Sequence, residues 1–320
     1  MNRIASSIEQ ENHVPGEQPP GGDARPRGGH GSRLPVPAPG PPGDGGGLPG
    51  KVLITGGSSG IGAAAAGAFA RRGYAVAVAG QDKAALDRVA GETGGVPVQG
   101  DLREPGRPRR VVDDAALALG GLDVVVSNAG IGWAGPFSTM TDEEIDAVLD
   151  VNLRAAAHVA RAALPHLRQR AGQLAFVGSI AGLVGVPDEA WYSATKSGVG
   201  MLADVLRAEL RADGIGVTLV VPGVVDTPYF ERRNVPYQRR YPRPIAARVV
   251  AAAIVDAVES RRETVVVPGW LSLPARLRGG LPGLYRMLEG GLDRGGRRRH
   301  GGKRAPAVGS AGPWPRNARA

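Results

Sequence analysis

Tyr192 and Lys196 stand four residues apart in the run Trp191-Tyr192-Ser193-Ala194-Thr195-Lys196, which opens a stretch predicted to be helical to about residue 212. On a helix, positions i and i+4 share a face, so this spacing brings a phenol and an ammonium together. An unperturbed phenol titrates near about pKa 10 and is a poor base at neutral pH. A neighbouring cation favours phenolate, and a shift of about two units corresponds to roughly 2.7 kcal/mol of differential interaction. A phenol tuned in this way exchanges a proton with a carbinol or carbonyl oxygen. An ordinary surface pair has the same spacing, so the pair gains meaning only with company. Ser179 follows the apolar run 174–178, where a hydroxyl at a strand's carboxyl end can donate to a developing alkoxide. Asn152 lies inside a predicted helical stretch, residues 142–170; an amide there is mildly unfavourable and asks for a reason.

The elements that must position these groups show as two alternating periodicities. Short β-branched, apolar runs recur at residues 52–54, 75–79, 124–126, 174–177, 217–221 and 265–267, separated by Ala- and Leu-rich stretches of helical length. Runs that are apolar throughout fit strands buried on both faces. Strand and helix in strict turn, with right-handed crossovers, predict an α/β fold: a doubly wound parallel sheet of Rossmann-like form. Ligands of such sheets bind beyond the carboxyl ends of the strands, so the chemistry is sought just after each run.

After the first run comes Thr55-Gly56-Gly57-Ser58-Ser59-Gly60-Ile61-Gly62, then a helical stretch over 63–72. Gly56 allows a tight turn out of the strand, Gly60 leaves the backbone open to a phosphate, and Gly62 lets the helix pack closely on the sheet. The helix start offers free N–H groups and a positive dipole end to a pyrophosphate. With 50 glycines in 320 residues, chance matches occur, but this turn sits between a strand and a helix as dinucleotide binding requires.

The pattern TGxxxGIG, here Thr55 to Gly62, resembles the short-chain dehydrogenase/reductase family, and further motifs follow in the family's order over about residues 51–268. The resemblance implies an NAD(P)-dependent oxidoreductase acting between an alcohol and a ketone or aldehyde. It implies a catalytic tetrad of Asn152, Ser179, Tyr192 and Lys196, with Asn152 helping to hold a proton-relaying water. Lys196 gains a second task at the nicotinamide ribose. It further implies cofactor contacts at Thr55, Gly56, Ser58, Ser59, Gly60, Ile61 and Gly62, and an adenine contact at Asp101, followed by Leu102. Asn128-Ala129-Gly130 resembles the NAG motif beneath the adenosine ribose. Pro222, Gly223, Val225 and Thr227 are placed around the nicotinamide, with Thr227 toward the carboxamide. The acid common in NAD-using relatives would sit at Gly80, so a 2′-phosphate meets no carboxylate there; yet the basic residue frequent in NADP-using relatives is Gln81. NADP is favoured over NAD on that balance. Asp82 is expected to cap the helix beginning at Lys83, and Asp101 also suits a turn. Relatives are usually dimers or tetramers through the helices that carry Asn152 and Tyr192, so a homodimer or homotetramer is expected. The competing expectation is a non-catalytic dinucleotide-binding sensor or scaffold on the same fold, which would have no need of the tetrad.

Composition confines the alternatives. The chain holds no cysteine, which excludes disulfides, thiolate nucleophiles and Cys-based zinc sites. His158 and His166 lie eight apart without a partner at metal-site spacing, so no metal site is expected. Residues 1–48 are expected to be a disordered arm: the first 50 residues hold 12 Gly and 10 Pro. The net charge of +9 belongs to the end of the chain, because residues 294–320 carry eight basic residues and no acid. That tail invites a nucleic-acid or anionic-membrane partner, but Trp314 stands alone, without the aromatic interleaving of a base-stacking surface, and a solvated disordered tail is preferred. No specific nucleic-acid partner is expected. No apolar stretch at residues 1–10 suits a signal peptide and none elsewhere suits a spanning helix, so a cytoplasmic protein is expected.

The main domain is read as 49–268, with a helical extension over 269–293. Leu273, Leu277, Leu281, Leu284, Met287 and Leu288 lie there among Arg276, Arg278 and Arg286. Gly279-Gly280 and Pro282 break a continuous helix, so short helices over the cleft or a subunit contact are preferred to peripheral membrane contact. Trp133, Phe137, Trp191, Tyr229 and Phe230 flank the tetrad in sequence and are candidates to line an apolar pocket. Residues 229–244 read as a proline-punctuated mobile loop or lid whose four arginines, Arg232, Arg233, Arg239 and Arg240, suit either an acidic substrate handle or solvent, with the solvent-facing reading slightly preferred. The substrate itself is expected to be a small alcohol or ketone.

Overall fold

The structure is a computed structural model, and it describes residues 50–233, 235, 237, 241–285 and 287. The arm over 1–48 and the basic tail over 294–320 lie outside the described residues, as do Arg239 and Arg240.

The predicted apolar runs form β1 (Lys51–Thr55), β2 (Ala75–Gly80), then, beyond a further strand β3 (Val96–Gln99), β4 (Val124–Ser127), β5 (Gln173–Val177), β6 (Gly216–Pro222) and, later in the chain, Thr264–Val267. Between β6 and that last strand a short parallel pair intervenes, β7 (Val225–Asp226) with β8 (Ile245–Ala246), so Thr264–Val267 is β9. The seven long strands make one sheet in the order β3-β2-β1-β4-β5-β6-β9, every pairing parallel. The doubly wound architecture is as the two periodicities predicted.

The helices are α1 (Gly60–Arg71), α2 (Lys83–Thr93), α3 (Arg107–Leu119), α4 (Asp142–Leu149), α5 (Ala155–Arg168), α6 (Ile180–Val184), α7 (Ala190–Glu209), α8 (Tyr229–Arg232), α9 (Ala247–Glu259) and α10 (Ser272–Gly280). Successive strand side chains point to opposite faces, and the core divides accordingly. Leu53, Val125, Leu174 and Phe176 pack on one face with Val112 of α3, Val159 and Leu167 of α5 and Val199 of α7. Val52, Ile54, Val126 and Val177 pack on the other with Phe69 of α1, Leu86 of α2 and Ile254 of α9. Phe69 and Phe176 are wholly buried; truncating either to Ala is expected to cost about 3–5 kcal/mol.

Local signals set the ends of several helices. Asp82 caps α2 as expected, accepting from the Ala85 N–H at 3.0 Å. Thr141 and Glu144 form a reciprocal capping box at the start of α4. The stretch read as one helix over 142–170 is interrupted: residues Asp150–Arg154 form a π-helical turn between α4 and α5. Within 269–293, a 3-10 turn at Gly269–Leu271 leads into α10, a short helix as Gly279-Gly280 suggested. Among the described residues no helix is long and apolar enough to cross a membrane.

The strand order reverses between β1 and β4, and at such a switch point the connections leave in opposite directions and open a crevice beyond the carboxyl ends. Everything chemical described below lies along that edge.

Candidate active site

The first wall of the crevice is the turn after β1. Gly56 has φ +64, and a Cβ there would lie 2.9 Å from the Ala129 backbone, so only glycine suits both the conformation and the contact. A Cβ on Gly62 would come within 2.1 Å of the Gly56 carbonyl. This close packing brings the α1 N-terminus onto the sheet edge. Ser59 is its N-cap residue yet makes no capping hydrogen bond through its side chain, and no acid occupies the first turn. The α1 N–H groups, Gly60 and Ile61 thus stand with Ser58 and Ser59 as a donor set without a competing anion, the chemistry a pyrophosphate requires.

The turn is fastened to β4. Thr55 Oγ1 accepts from the backbone N–H groups of Asn128 at 3.0 Å and Ala129 at 3.2 Å. The Asn128 side-chain amide donates back to the carbonyls of Thr55 at 3.0 Å and Gly56 at 3.2 Å. Thr55 and Asn128 therefore brace the crevice, a role their spacing did not reveal. At its far end, Asp101 follows β3 and accepts from the Arg103 N–H at 2.9 Å while pairing with its guanidinium at 2.6 Å. Burial works to raise the Asp101 carboxyl, but the Arg103 hydrogen bonds outweigh it and hold the group below the usual carboxylate range. Leu102 beside it is buried, and the Gln81 side chain lies close enough to reinforce the carboxylate.

On the opposite side, β6 ends at Pro222, and the Gly223 N–H donates to the Val267 carbonyl at 2.7 Å. Buried Val225 anchors β7, and Thr227 is carried back against the glycine turn. A Cβ on Gly60 would lie 3.2 Å from the Thr227 methyl.

Between these walls lie the four tetrad positions. Ser179 lies two residues beyond the end of β5 and caps α6, its Oγ accepting from the Ala181 N–H at 3.2 Å. Asn152 occupies the π-helical turn and is buried. Its amide donates to the Ile131 carbonyl at 2.9 Å, its carbonyl accepts from the Ile131 N–H at 2.8 Å, and it donates to Thr195 Oγ1 at 3.2 Å. This is the reason a mid-helix amide lacked in the sequence: the wider turn aims Asn152 at the chain after β4. Lys196 is buried, and its Nζ donates to the Val177 carbonyl at 3.0 Å. Burial pulls its pKa from the ordinary 10.5 down to about 8. Gly130 is where Asn152 and Lys196 meet, since a Cβ there would lie 3.3 Å from both Asn152 Oδ1 and Lys196 Nζ.

Tyr192 departs from the expectation drawn from its spacing. Burial raises its pKa, the Ser179 and Tyr229 hydroxyls act against that, Glu189 adds to it and Arg233 opposes it. The Lys196 ammonium donates to the Val177 carbonyl.

Arg233 corrects another expectation. Read as solvent-facing, it is instead 5% exposed and paired with Glu189 at 2.7 Å. Its guanidinium lies 4.7 Å from the Phe230 ring centre and 5.7 Å from that of Tyr229. Tyr229 in turn lies 5.8 Å from the Tyr192 ring centre. Of the other aromatic candidates, Trp191 is fixed by its donation to the Ile145 carbonyl at 2.8 Å, while Phe137 is exposed. A cavity of about 770 Å³, lined in part by Leu183, Arg262, Val266, Arg276 and Arg278, opens beside α10, and none of the tetrad lines it. His166 pairs with Asp113 at 3.2 Å, and His158 is exposed. Among the described residues no group of three or more His, Asp or Glu is placed to hold a metal.

A doubly wound sheet, a glycine turn packed at its switch point, and a serine, tyrosine, lysine and asparagine along one edge define a dinucleotide-binding oxidoreductase. The chain belongs to the short chain dehydrogenase family, which it matches over residues 50–237. It is 39% identical over 183 residues to a protein named probable galactose dehydrogenase GalD of Rhizobium meliloti, covering 55% of this chain and 72% of that one. Among solved structures it is similar to 3-ketoacyl-(acyl-carrier-protein) reductase from Brucella melitensis complexed with NADH. That match has 27% identity and a TM-score of 0.64, covering 68% of this chain and 95% of that one. A short chain dehydrogenase from Burkholderia cenocepacia in complex with NADP matches at 31% identity and a TM-score of 0.61, covering 67% and 94%.

Proposed function

We propose that the protein binds a nicotinamide dinucleotide along the carboxyl edge of the sheet and interconverts an alcohol and a ketone or aldehyde. The observation that carries this reading is the meeting at Gly130, where Asn152 and Lys196 both reach the chain that follows β4, next to the glycine turn. The residues present fit the cofactor: a glycine turn that packs the helix start closely on the sheet edge, no competing acid in its first turn, and Asp101 at the far end. When bound, the dinucleotide supplies or takes up the hydride.

The chain's own residues supply the rest. Tyr192 holds the proton that passes to or from the substrate oxygen, and Ser179 donates a hydrogen bond to that same oxygen. Lys196, buried and titrating near neutrality, reaches toward the ribose side of the crevice. Asn152 sets the position of Ile131 and, through Thr195, of the α7 turn that carries Lys196. Val225 and Thr227 hold the nicotinamide end, and Asn128, Ala129 and Gly130 the middle. NADP is preferred to NAD, because no carboxylate stands at Gly80 to repel a 2′-phosphate. The similarity to NADH- and NADP-bound relatives supports either form. The protein works as a homodimer or homotetramer, a reading that rests on the family resemblance.

The test is fluorescence titration with NADH and NADPH, followed by a carbonyl panel on wild type and Tyr192→Phe. The variant is expected to bind dinucleotide normally and lose about 10²–10⁴-fold in turnover. Equal turnover removes Tyr192 from its role, and binding of neither dinucleotide overturns the reading.

A further inference from the structure

We infer that the Tyr229 hydroxyl is a second substrate contact, selecting neutral carbonyl compounds that carry another oxygen on the carbon next to the reacting one, and the corresponding vicinal diols. This rests on the oxidoreductase reading and deepens it.

The Tyr229 side chain ends in a buried hydroxyl that makes no hydrogen bond of normal geometry. Buried polar side-chain atoms are nearly always paired, and one left over calls for an explanation. Burial pushes its pKa well above the ordinary phenol value, and the Tyr192 phenol adds to the effect, so it remains a donor across the working pH range. The chain also makes room for it. A Cβ on Gly132 would come within 2.2 Å of the Tyr229 hydroxyl. Gly132 does not adopt a positive φ, so its backbone does not require glycine; the phenol does.

Nor is the ring free to turn away. Arg233 lies over Tyr229 and Phe230, and Phe230 packs edge-on against Tyr229 at 5.4 Å between ring centres. Glu189 holds Arg233 from the residue preceding α7. A donor that is fixed and buried, with only the neighbouring Tyr192 phenol beside it and no hydrogen bond of normal geometry, is satisfied by what enters the site.

Two features specify what enters. The Tyr192 and Tyr229 rings adjoin at 5.8 Å, so a molecule with its reacting oxygen on Tyr192 presents an oxygen of the adjacent carbon to Tyr229. The cation beside them is already neutralised, because Arg233 is paired with Glu189 at 2.7 Å. The second oxygen is therefore a neutral hydroxyl or carbonyl rather than a carboxylate. A site built around a polar group discriminates strongly against an analogue lacking it, since the group is then left buried and unpaired.

The experiment compares 2-hydroxycyclohexanone with cyclohexanone on full-length wild type, Tyr229→Phe and Gly132→Ala. Wild type is expected to prefer the hydroxyketone about tenfold or more in kcat/KM. Tyr229→Phe removes the hydroxyl and Gly132→Ala displaces it, so in each variant that ratio falls about tenfold. A ratio unchanged in both variants, or no preference in wild type, overturns the proposal. Where turnover is too slow to measure, the ratio of dissociation constants for 1,2-cyclohexanediol and cyclohexanol decides in the same way. Failure of the oxidoreductase reading shows separately, as equal turnover of cyclohexanone by wild type and Tyr192→Phe.

Discussion

Arg233 reaches across 44 residues of chain to Glu189, and the ion pair they form, at 2.7 Å, is one of the least exposed on the described surface, with side chains 5% and 18% exposed. It ties α8, which carries Tyr229, to the residue that opens the Tyr192 helix. Removing one partner of a buried pair strands the other charge, at a cost of about 3–5 kcal/mol where the site cannot relax. Here the pair joins the short α8 to the start of α7, so the loss is expected to fall on the placement of Tyr229. Arg233→Ala is expected to raise KM about tenfold or more with a smaller change in kcat, and Arg233→Ala/Glu189→Ala to recover part of it. Steady-state kinetics in a double-mutant cycle read the coupling. A double variant as impaired as the sum of the singles would show that the pair does not hold the segment.

Lys196 makes stability depend on pH in a particular direction. Its pKa is about 8 in the fold against an ordinary 10.5, so between those values the unfolded chain binds more protons than the folded one. Stability therefore rises as pH rises through that window, and below it the buried charge is a standing cost of about 3 kcal/mol. Lys196→Met removes the charge. Relative to wild type, the variant is expected to gain most near pH 7, with the gain shrinking by about 2 kcal/mol by pH 10. Urea unfolding across this range measures it, and a difference flat with pH would place the ammonium in contact with water.

What the amino-acid sequence makes legible follows from the range of the interactions. Val52, Ile54 and Val126 announce a buried strand by type alone, and Asp82 its cap, because both are local effects. The glycine turn was legible since Gly56 and Gly62 answer contacts made within a single strand–turn–helix unit and its neighbour. The π-helical turn at Asn152 was not, since it depends on Ile131 and Thr195, which the fold brings together from 21 and 43 residues away. The burial of Arg233 is not legible for the same reason. A proline-rich segment with four arginines looks solvated until Glu189 arrives from another helix. Tyr192 and Lys196 both lie on α7, as their spacing predicts, while the Val177 carbonyl that accepts from the ammonium comes from β5.

Asn152 makes three hydrogen bonds, two of them closing on the Ile131 backbone. Asn152→Ala leaves the half-buried N–H and carbonyl of Ile131 without these partners, and an orphaned group costs up to about 1–3 kcal/mol. The variant is expected to lose about 2–4 kcal/mol of stability in denaturant unfolding as well as activity. If Asn152 served only to hold a water, unfolding would shift little while turnover fell.

Gly80 offers a test of where the adenosine ribose lies. It ends β2, and a Cβ built there meets Ser58 Oγ at 3.4 Å and Leu86 at 3.6 Å, ordinary contact distances that allow a side chain. A carboxylate at this strand end accepts from a ribose 2′-hydroxyl and repels a 2′-phosphate. Like charges about 4 Å apart repel by about 1 kcal/mol in water and about 4 kcal/mol in a partly buried setting. Gly80→Asp is therefore expected to move the NADP-to-NAD ratio of kcat/KM about a hundredfold toward NAD, chiefly through the KM for NADP. Dinucleotide titration of the variant checks binding apart from turnover. A ratio that stays put would mean that the 2′ position lies away from the end of β2, and that the crevice holds its ligand in another direction.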